Sequence, residues 1–366
     1  MEPAGKPGAP SSLQRGNLQF MLAEDYLKAY SQKADKFLDP FFKKKKALAK
    51  KIDPDLADIL QVFQNYSKGG KKARGALTVL GYQASGGKNL NAILSISCAI
   101  ELFHNFLLIH DDVIDKDTKR RGKPTVNAVY AKNRGEHYGN SKAIIIGDVG
   151  AFLAYELFLS SGFSKERTLE AVRKLNEFLL KTGYGQLLDL DYDFKKEVTW
   201  GDILKVRTYK TAYYTIVMPL TIGAILAGAR QRETLAIEKY GIPVGIAFQL
   251  ADDALGIFGS TKKTGKSNLS DIREGKKTFL YAKALELSSP PEKRFLKRWY
   301  GASGVGEKQA GKVRRIIVST GSFDYSKKLA QDLVKKGKNY VSQMTKSKKY
   351  QNILASLADF IVTREG

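Results

Sequence analysis

Cysteine is almost missing: 366 residues contain one, Cys98. No intramolecular disulfide can form, and a reducing, cytoplasmic setting is expected. Acids are also scarce, 37 Asp and Glu against 61 Lys and Arg, a formal charge of +24. Such a surface gathers anions, whether nucleic acid, acidic headgroups or phosphorylated metabolites. Zinc-ligand spacing and RNA-binding signatures are lacking, so no nucleic-acid partner is expected, whereas peripheral contact with an acidic membrane stays open. Strict two-residue alternation is hard to find, which argues against a β fold. The prolines Pro40, Pro54, Pro124 and Pro290 stand among turn-like residues. One stretch, 211–229 (TAYYTIVMPLTIGAILAGA), is uncharged and just long enough to span a bilayer. Threonines, Pro219 and glycines dilute it, and it reads as a buried core helix. Residues 1–17, rich in Pro, Gly and Ser without the apolar core of a secretory signal, read as a flexible leader.

Apolar residues recur mainly at helical spacing. In 169–190, Leu169, Val172, Leu175, Leu179 and Leu180 share one face of an expected amphipathic helix. The breaks are rich in Gly and Lys, as in SKGGKK and ASGGKN, and no repeat or long linker divides the chain. A single all-α domain over 18–366, about a dozen helices, is expected.

Against the acid shortage, four aspartates fall within seven residues, Asp111, Asp112, Asp115 and Asp117. On a helix, Asp111 and Asp115 stand about 40° apart on one face, where like charges repel. His104 lies seven residues earlier on that face. Acid-only oxygen ligands suit Mg²⁺, which takes one or two carboxylates plus substrate phosphates. A second pair, Asp252 and Asp253, follows the apolar run GIAFQLA, with Gln249 one turn before. Two carboxylate patches on two helices facing across a cavity suit several Mg²⁺ and a polyanion, most naturally a diphosphate. Cations adjoin both: Lys71 and Arg74 in GGKKAR, Arg120 and Arg121 after the first patch, then Lys210, Lys266 and Lys276. Guanidinium forks and ammonium groups suit phosphate oxygens.

Five motifs in order carry a resemblance: GGKKAR (69–74), ELFHNFLLIHDDVIDKDTKRRGKPT (101–125), GQLLDL (185–190), KT (210–211), and GIAFQLADDALGIFG followed by TGKSNLSDIREGKKT (264–278). The chain resembles the trans-isoprenyl diphosphate synthases, all-α bundles around a central cavity, and is most similar to the archaeal short-chain type. The resemblance implies about three Mg²⁺ and condensation of an allylic diphosphate with isopentenyl diphosphate in a homodimer. It implies that Asp111 and Asp115 bind metal with Asp112 in support, and that Asp252 takes a further ion. Arg120, Lys210 and Lys266 would hold the allylic diphosphate, with Lys276 closing over it. Lys71, Arg74, His104 and Arg121 would hold isopentenyl diphosphate. Thr211 and Gln249 would lie beside the developing carbocation, with Gln186 and Asp189 completing a polar wall. Phe106 and Leu107 would floor the product tunnel, a pattern implying a twenty-carbon, geranylgeranyl product. One departure is Gly256, where many relatives carry a third aspartate; another is Gly75 in place of proline.

Alternatives differ in class. A P-loop fails because five residues, not four, separate Gly259 from Gly265. A terpene cyclase would need Asn, Ser and Glu at fixed steps near 252–260. A farnesyl or longer-chain synthase, a non-catalytic subunit of such an enzyme, and a basic nucleic-acid-binding protein stay as alternatives. Release of diphosphate separates the enzyme from the last.

Overall fold

The computed structural model describes residues 12–195, 198–259 and 269–363. The chain runs α1 (Ser12–Lys50), α2 (Pro54–Ser67), α3 (Ala73–Ala84) and α4 (Leu90–Ile114). A hairpin follows, β1 (Lys119–Arg120) and β2 (Lys123–Pro124), then α5 (Val126–Arg134), α6 (Glu136–Leu159), α7 (Lys165–Asp193) and α8 (Trp200–Val206). A π-helical segment, Arg207–Val217, leads into α9 (Met218–Ala227) and α10 (Gln231–Phe258). The rest is α11 (Ser270–Glu274), α12 (Phe279–Leu287), α13 (Pro290–Trp299), α14 (Glu307–Ser319), α15 (Ser322–Lys338), α16 (Val341–Met344) and α17 (Lys348–Thr363). The all-α expectation holds.

Local chemistry starts the helices where they start. Asp53 accepts from the Asp55 amide ahead of Pro54, an ordinary Pro-first opening for α2. Asn89 caps α4 through the Ala92 amide, and Thr199 with Asp202 closes a capping box on α8. Helix α4 is buried through Ile93, Ile96, Ile100 and Phe103, where each large side chain contributes about 1.5–3 kcal/mol. It packs on α6 and α3, while α10 packs on the π-helical segment. Ile257, at the end of α10, opens a smaller apolar cluster with Ile272, Leu280, Leu296 and Val313.

Four expectations change. Pro40 lies inside α1 rather than in a turn, because Leu38 and Phe42 on either side are buried and hold the helix through it. Helix α1 begins at Ser12, inside the stretch read as a leader. In α7 the buried stripe is Ala171, Leu175, Phe178 and Thr182; Leu169 and Leu180 are more than half exposed, so that apolar face does not all turn inward. The hairpin was not foreseen. Its turn needs positive φ at two central residues, met by Arg121 (52°) and Gly122 (73°). The uncharged run 211–229 is buried as expected, split between the π-helical segment and α9.

Candidate active site

Asp111 and Asp112 sit in the last turn of α4 and Asp115 is its C-cap. Unpaired carbonyls already make that end negative, so each carboxylate there costs about 0.3–1 kcal/mol. The cost is offset for Asp112 alone. It is fully buried, accepts from the Tyr66 hydroxyl at 2.7 Å and from Arg120 Nε, and Arg120 also reaches Asp117 at 3.3 Å. The side chains of Asp111 and Asp115 have no hydrogen-bond or ion-pair partner among the described residues. Burial pushes the Asp111 carboxyl above its ordinary pKa, against the pull of Lys210.

The second patch repeats this division. Asp253 is buried, ion-paired with Arg207 at 3.1 Å and bonded by Gln249 Nε2 at 2.8 Å, while the neighbouring Asp252 is exposed. Burial raises Asp253 to about 6 against the pull of Arg207. In each motif one carboxylate is locked to an arginine in the protein; beside it Asp111 is half-buried and Asp252 is exposed.

Between the patches stands the π-helical segment, and glycines let its neighbours approach. A Cβ on Gly185 of α7 would lie 2.3 Å from the Lys210 nitrogen, and one on Gly245 of α10 would lie 2.5 Å from Ala212 Cα. That closeness brings Asp189 to Lys210 at 2.6 Å and Gln249 to the Thr211 hydroxyl at 3.3 Å. Gln186 is half-buried one residue beyond Gly185. Electrostatic coupling links Lys210 to Asp111, Lys276 to Asp115, and Arg207 to Asp189, Asp252 and Asp271. The two patches therefore belong to one charged network rather than to opposite surfaces.

The other basic residues converge on the start of α3. Arg74 donates to His104 Nε2 at 3.1 Å and to the Thr215 hydroxyl at 2.8 Å, and lies 4.6 Å from the Tyr214 ring. Because Arg74 can only donate, the His104 proton sits on Nδ1. Burial and Arg74 hold His104 well below the usual imidazole pKa. Arg121 lies so close to Gly70 that a Cβ there would meet its guanidinium at 2.9 Å. Lys71 faces the Phe360 ring of α17 at 5.4 Å. Three buried polar atoms here lack hydrogen-bond partners: Arg74 Nε, His104 Nδ1 and the Tyr214 hydroxyl. Orphans of this kind in one place point to a polar ligand.

Lys276 pairs with Glu274 at 3.1 Å and Asp271 at 3.4 Å. Lys266 lies outside the described residues. Phe106 is half-buried, edge-to-face with His110 at 4.9 Å, and Leu107 is also half-buried. Reading the sequence missed Tyr66, Arg207, Tyr214, Thr215 and Asp271. Arg207, a cation three residues before Lys210, and Asp271, inside the TGKSNLSDIREGKKT motif, carried a signal.

The polyprenyl synthetase family profile matches residues 57–318. The chain is 34% identical to a short chain isoprenyl diphosphate synthase of Methanothermobacter thermautotrophicus, over 81% of this chain and 87% of that protein. It is 32% identical to a geranylgeranyl diphosphate synthase of Methanosarcina mazei, over 81% and 86%. A solved geranylgeranyl pyrophosphate synthase of Corynebacterium glutamicum, complexed with isoprenyl diphosphate and magnesium, superposes with a TM-score of 0.86. It shares 29% identity over 93% of this chain and 99% of that one. The chain belongs to the polyprenyl synthetase family. It is a trans-prenyltransferase.

Proposed function

We propose that the protein joins an allylic diphosphate to isopentenyl diphosphate and releases inorganic diphosphate, with geranylgeranyl diphosphate as product. The observation that carries this reading is the shared division of labour in the two acidic motifs. Asp112 and Asp253 are neutralised by arginines, Asp111 and Asp115 have no side-chain partner among the described residues, and Asp252 is exposed beside Asp253, where an external cation can reach it. Magnesium fits that donor set: hard oxygen ligands, one or two per ion, with phosphate and water filling the remainder. Among the described residues no three acidic, His or Cys groups lie close enough to hold an ion unaided, consistent with metal that arrives with its diphosphate. When bound, Mg²⁺ supplies Lewis-acid neutralisation of the leaving diphosphate.

The chain's own residues do the rest. Arg120, Lys210 and Lys276 add positive charge where the leaving group gathers negative charge. Lys266 would join them. The Gln249 amide oxygen and the Thr211 hydroxyl, in contact with each other, direct oxygen dipoles at the cation formed by ionisation. Arg74, Arg121, Lys71 and neutral His104 would anchor isopentenyl diphosphate, satisfying the orphaned atoms around Arg74. The surrounding apolar helices exclude the water that would quench the cation.

Phe106 would floor the tunnel with Leu107 beside it, setting a twenty-carbon limit. A homodimer is supported by the apolar side chains left outward on α6 and α7: Ile145, Phe152, Leu159, Leu180 and Leu187 are each more than half exposed. Patches of this size on a soluble chain ordinarily mark an interface. Incubation with dimethylallyl and isopentenyl diphosphates and Mg²⁺, resolved by product chromatography, tests the reading. A twenty-carbon diphosphate is expected; no condensation at any metal concentration refutes it. Phe106→Ala should lengthen the product, and an unchanged profile would remove Phe106 as the floor. Light scattering should give twice the chain mass; a parent chain at single mass would reject the dimer, and a Phe152→Asp variant still at twice the mass would reject this face as the interface.

A further inference from the structure

Half of the excess positive charge lies in one sixth of the chain. Residues 289–349 hold sixteen Lys and Arg against four Asp and Glu, a net of +12 out of +24. Thirteen of these sixteen cations are exposed, and none of the thirteen forms an ion pair among the described residues. The two acids of α13 and α14 are engaged locally: Glu292 accepts from Ser289 at 2.7 Å, and Glu307 lies 3.5 Å from Arg314, a half-buried cation. The charge is therefore not balanced in place, unlike that of Lys45 with Glu156 or Lys181 with Glu177.

The cations are also arranged. In α13, Arg294, Lys297 and Arg298 fall on one exposed face, and in α14, Lys308, Lys312 and Arg315 do the same at intervals of four and three. Helix α13 packs on α14. Between them lie two half-buried aromatic rings, Phe295 and Trp299, 6.4 Å apart. Lys312 of α14 reaches over the Phe295 ring at 4.2 Å, and Arg298 stands 5.3 Å from Trp299, so cations and rings form one surface. A basic face carrying a Trp and a Phe at its waterline has the composition of an amphipathic helix lying in a lipid headgroup layer. Lys312 over Phe295 and Arg298 over Trp299 occupy ring faces on which bases would stack.

We propose that the α13–α14 face docks the enzyme on an anionic lipid bilayer. This rests on the proposed reaction in one respect only, that a long-chain product needs an apolar sink. The lysines add attraction, each weakening binding severalfold when lost, and Trp299 settles at the level of the headgroups.

The test is sedimentation of the full chain with vesicles of phosphatidylcholine alone or with phosphatidylserine at about a third of the lipid. Binding to the mixed vesicles only, falling steeply with salt, is expected. The variant K297E/R298E/K312E/R315E should bind at least about a hundredfold more weakly. A control reversing Lys43, Lys44 and Lys50 of α1 and the adjoining Lys51, all exposed, should lose far less. The neutral set K297Q/R298Q/K312Q/R315Q, expected to weaken binding by about tenfold or more, replaces the reversal variant if circular dichroism shows that variant unfolded. In a Trp200→Phe background, vesicles should shift Trp299 emission to the blue. Turnover of soluble substrates without lipid should be unchanged in all variants, which separates this proposal from the catalytic reading. No binding to anionic vesicles at low salt would overturn it. So would equal loss in the α1 control, displacement by RNA at equal affinity, or a fall in kcat/KM without loss of binding, which would make the face a substrate guide.

Discussion

Replacing Arg207 should cost the protein much of its stability, because its partner is a buried carboxylate. Its Nη2 lies 3.1 and 3.2 Å from the two oxygens of Asp253, and the two side chains are 12% and 6% exposed. Arg207→Leu strands a carboxylate where burial already raises its pKa to about 6. Breaking one partner out of a buried pair costs about 3–5 kcal/mol. Arg207→Leu with Asp253→Leu removes the uncompensated charge. That double variant should recover most of the loss, short of about 1 kcal/mol for the bond from Gln249 Nε2. Urea unfolding followed by tryptophan fluorescence measures all three chains. The double variant should fold yet need more Mg²⁺ for half-maximal activity, because Gln249 and Asp252 lose the anchor beside them. An Arg207→Leu variant within about 1 kcal/mol of the parent would refute the argument, since a pair that buried cannot be lost so cheaply.

Asp111→Asn should lower kcat by about 10²–10³, as loss of one transition-state charge contact does elsewhere; release of diphosphate reads it, and less than a tenfold effect rejects Asp111 as a ligand. His104 is held neutral, its folded pKa below the unfolded value near 6.5. Its contribution to stability is full above that value and is lost as pH falls toward the folded pKa, because the unfolded chain takes up a proton the folded chain refuses. His104→Gln should flatten that slope of stability against pH, and an unaltered slope would exclude His104 as its source. Gly185→Ala should cost about 1–3 kcal/mol, as overpacking does, and should part Asp189 from Lys210. Thermal melts check the first effect and the KM for allylic diphosphate the second.

Much of this protein can be read along the chain because its chemistry is local. Helical spacing, Gly- and Lys-rich breaks, and aspartates at three- and four-residue steps each concern residues within one or two turns. They determine an all-α architecture, two acidic motifs and the cations beside them. Which member of each acidic pair is locked to an arginine was settled elsewhere. Tyr66 and Arg120 close on Asp112, and Arg207 closes on Asp253 from 46 residues away. The same holds for the outward turn of Leu180 and for Pro40, carried inside a helix by the burial of Leu38 and Phe42. Gly256 shows the limit best: in the sequence it is a missing acid, yet a Cβ there would collide with the Asp271 carboxylate at 1.8 Å. Composition and period set what each segment could become. Packing between distant segments, where one desolvated charge must find its partner, decided which groups remain to do chemistry.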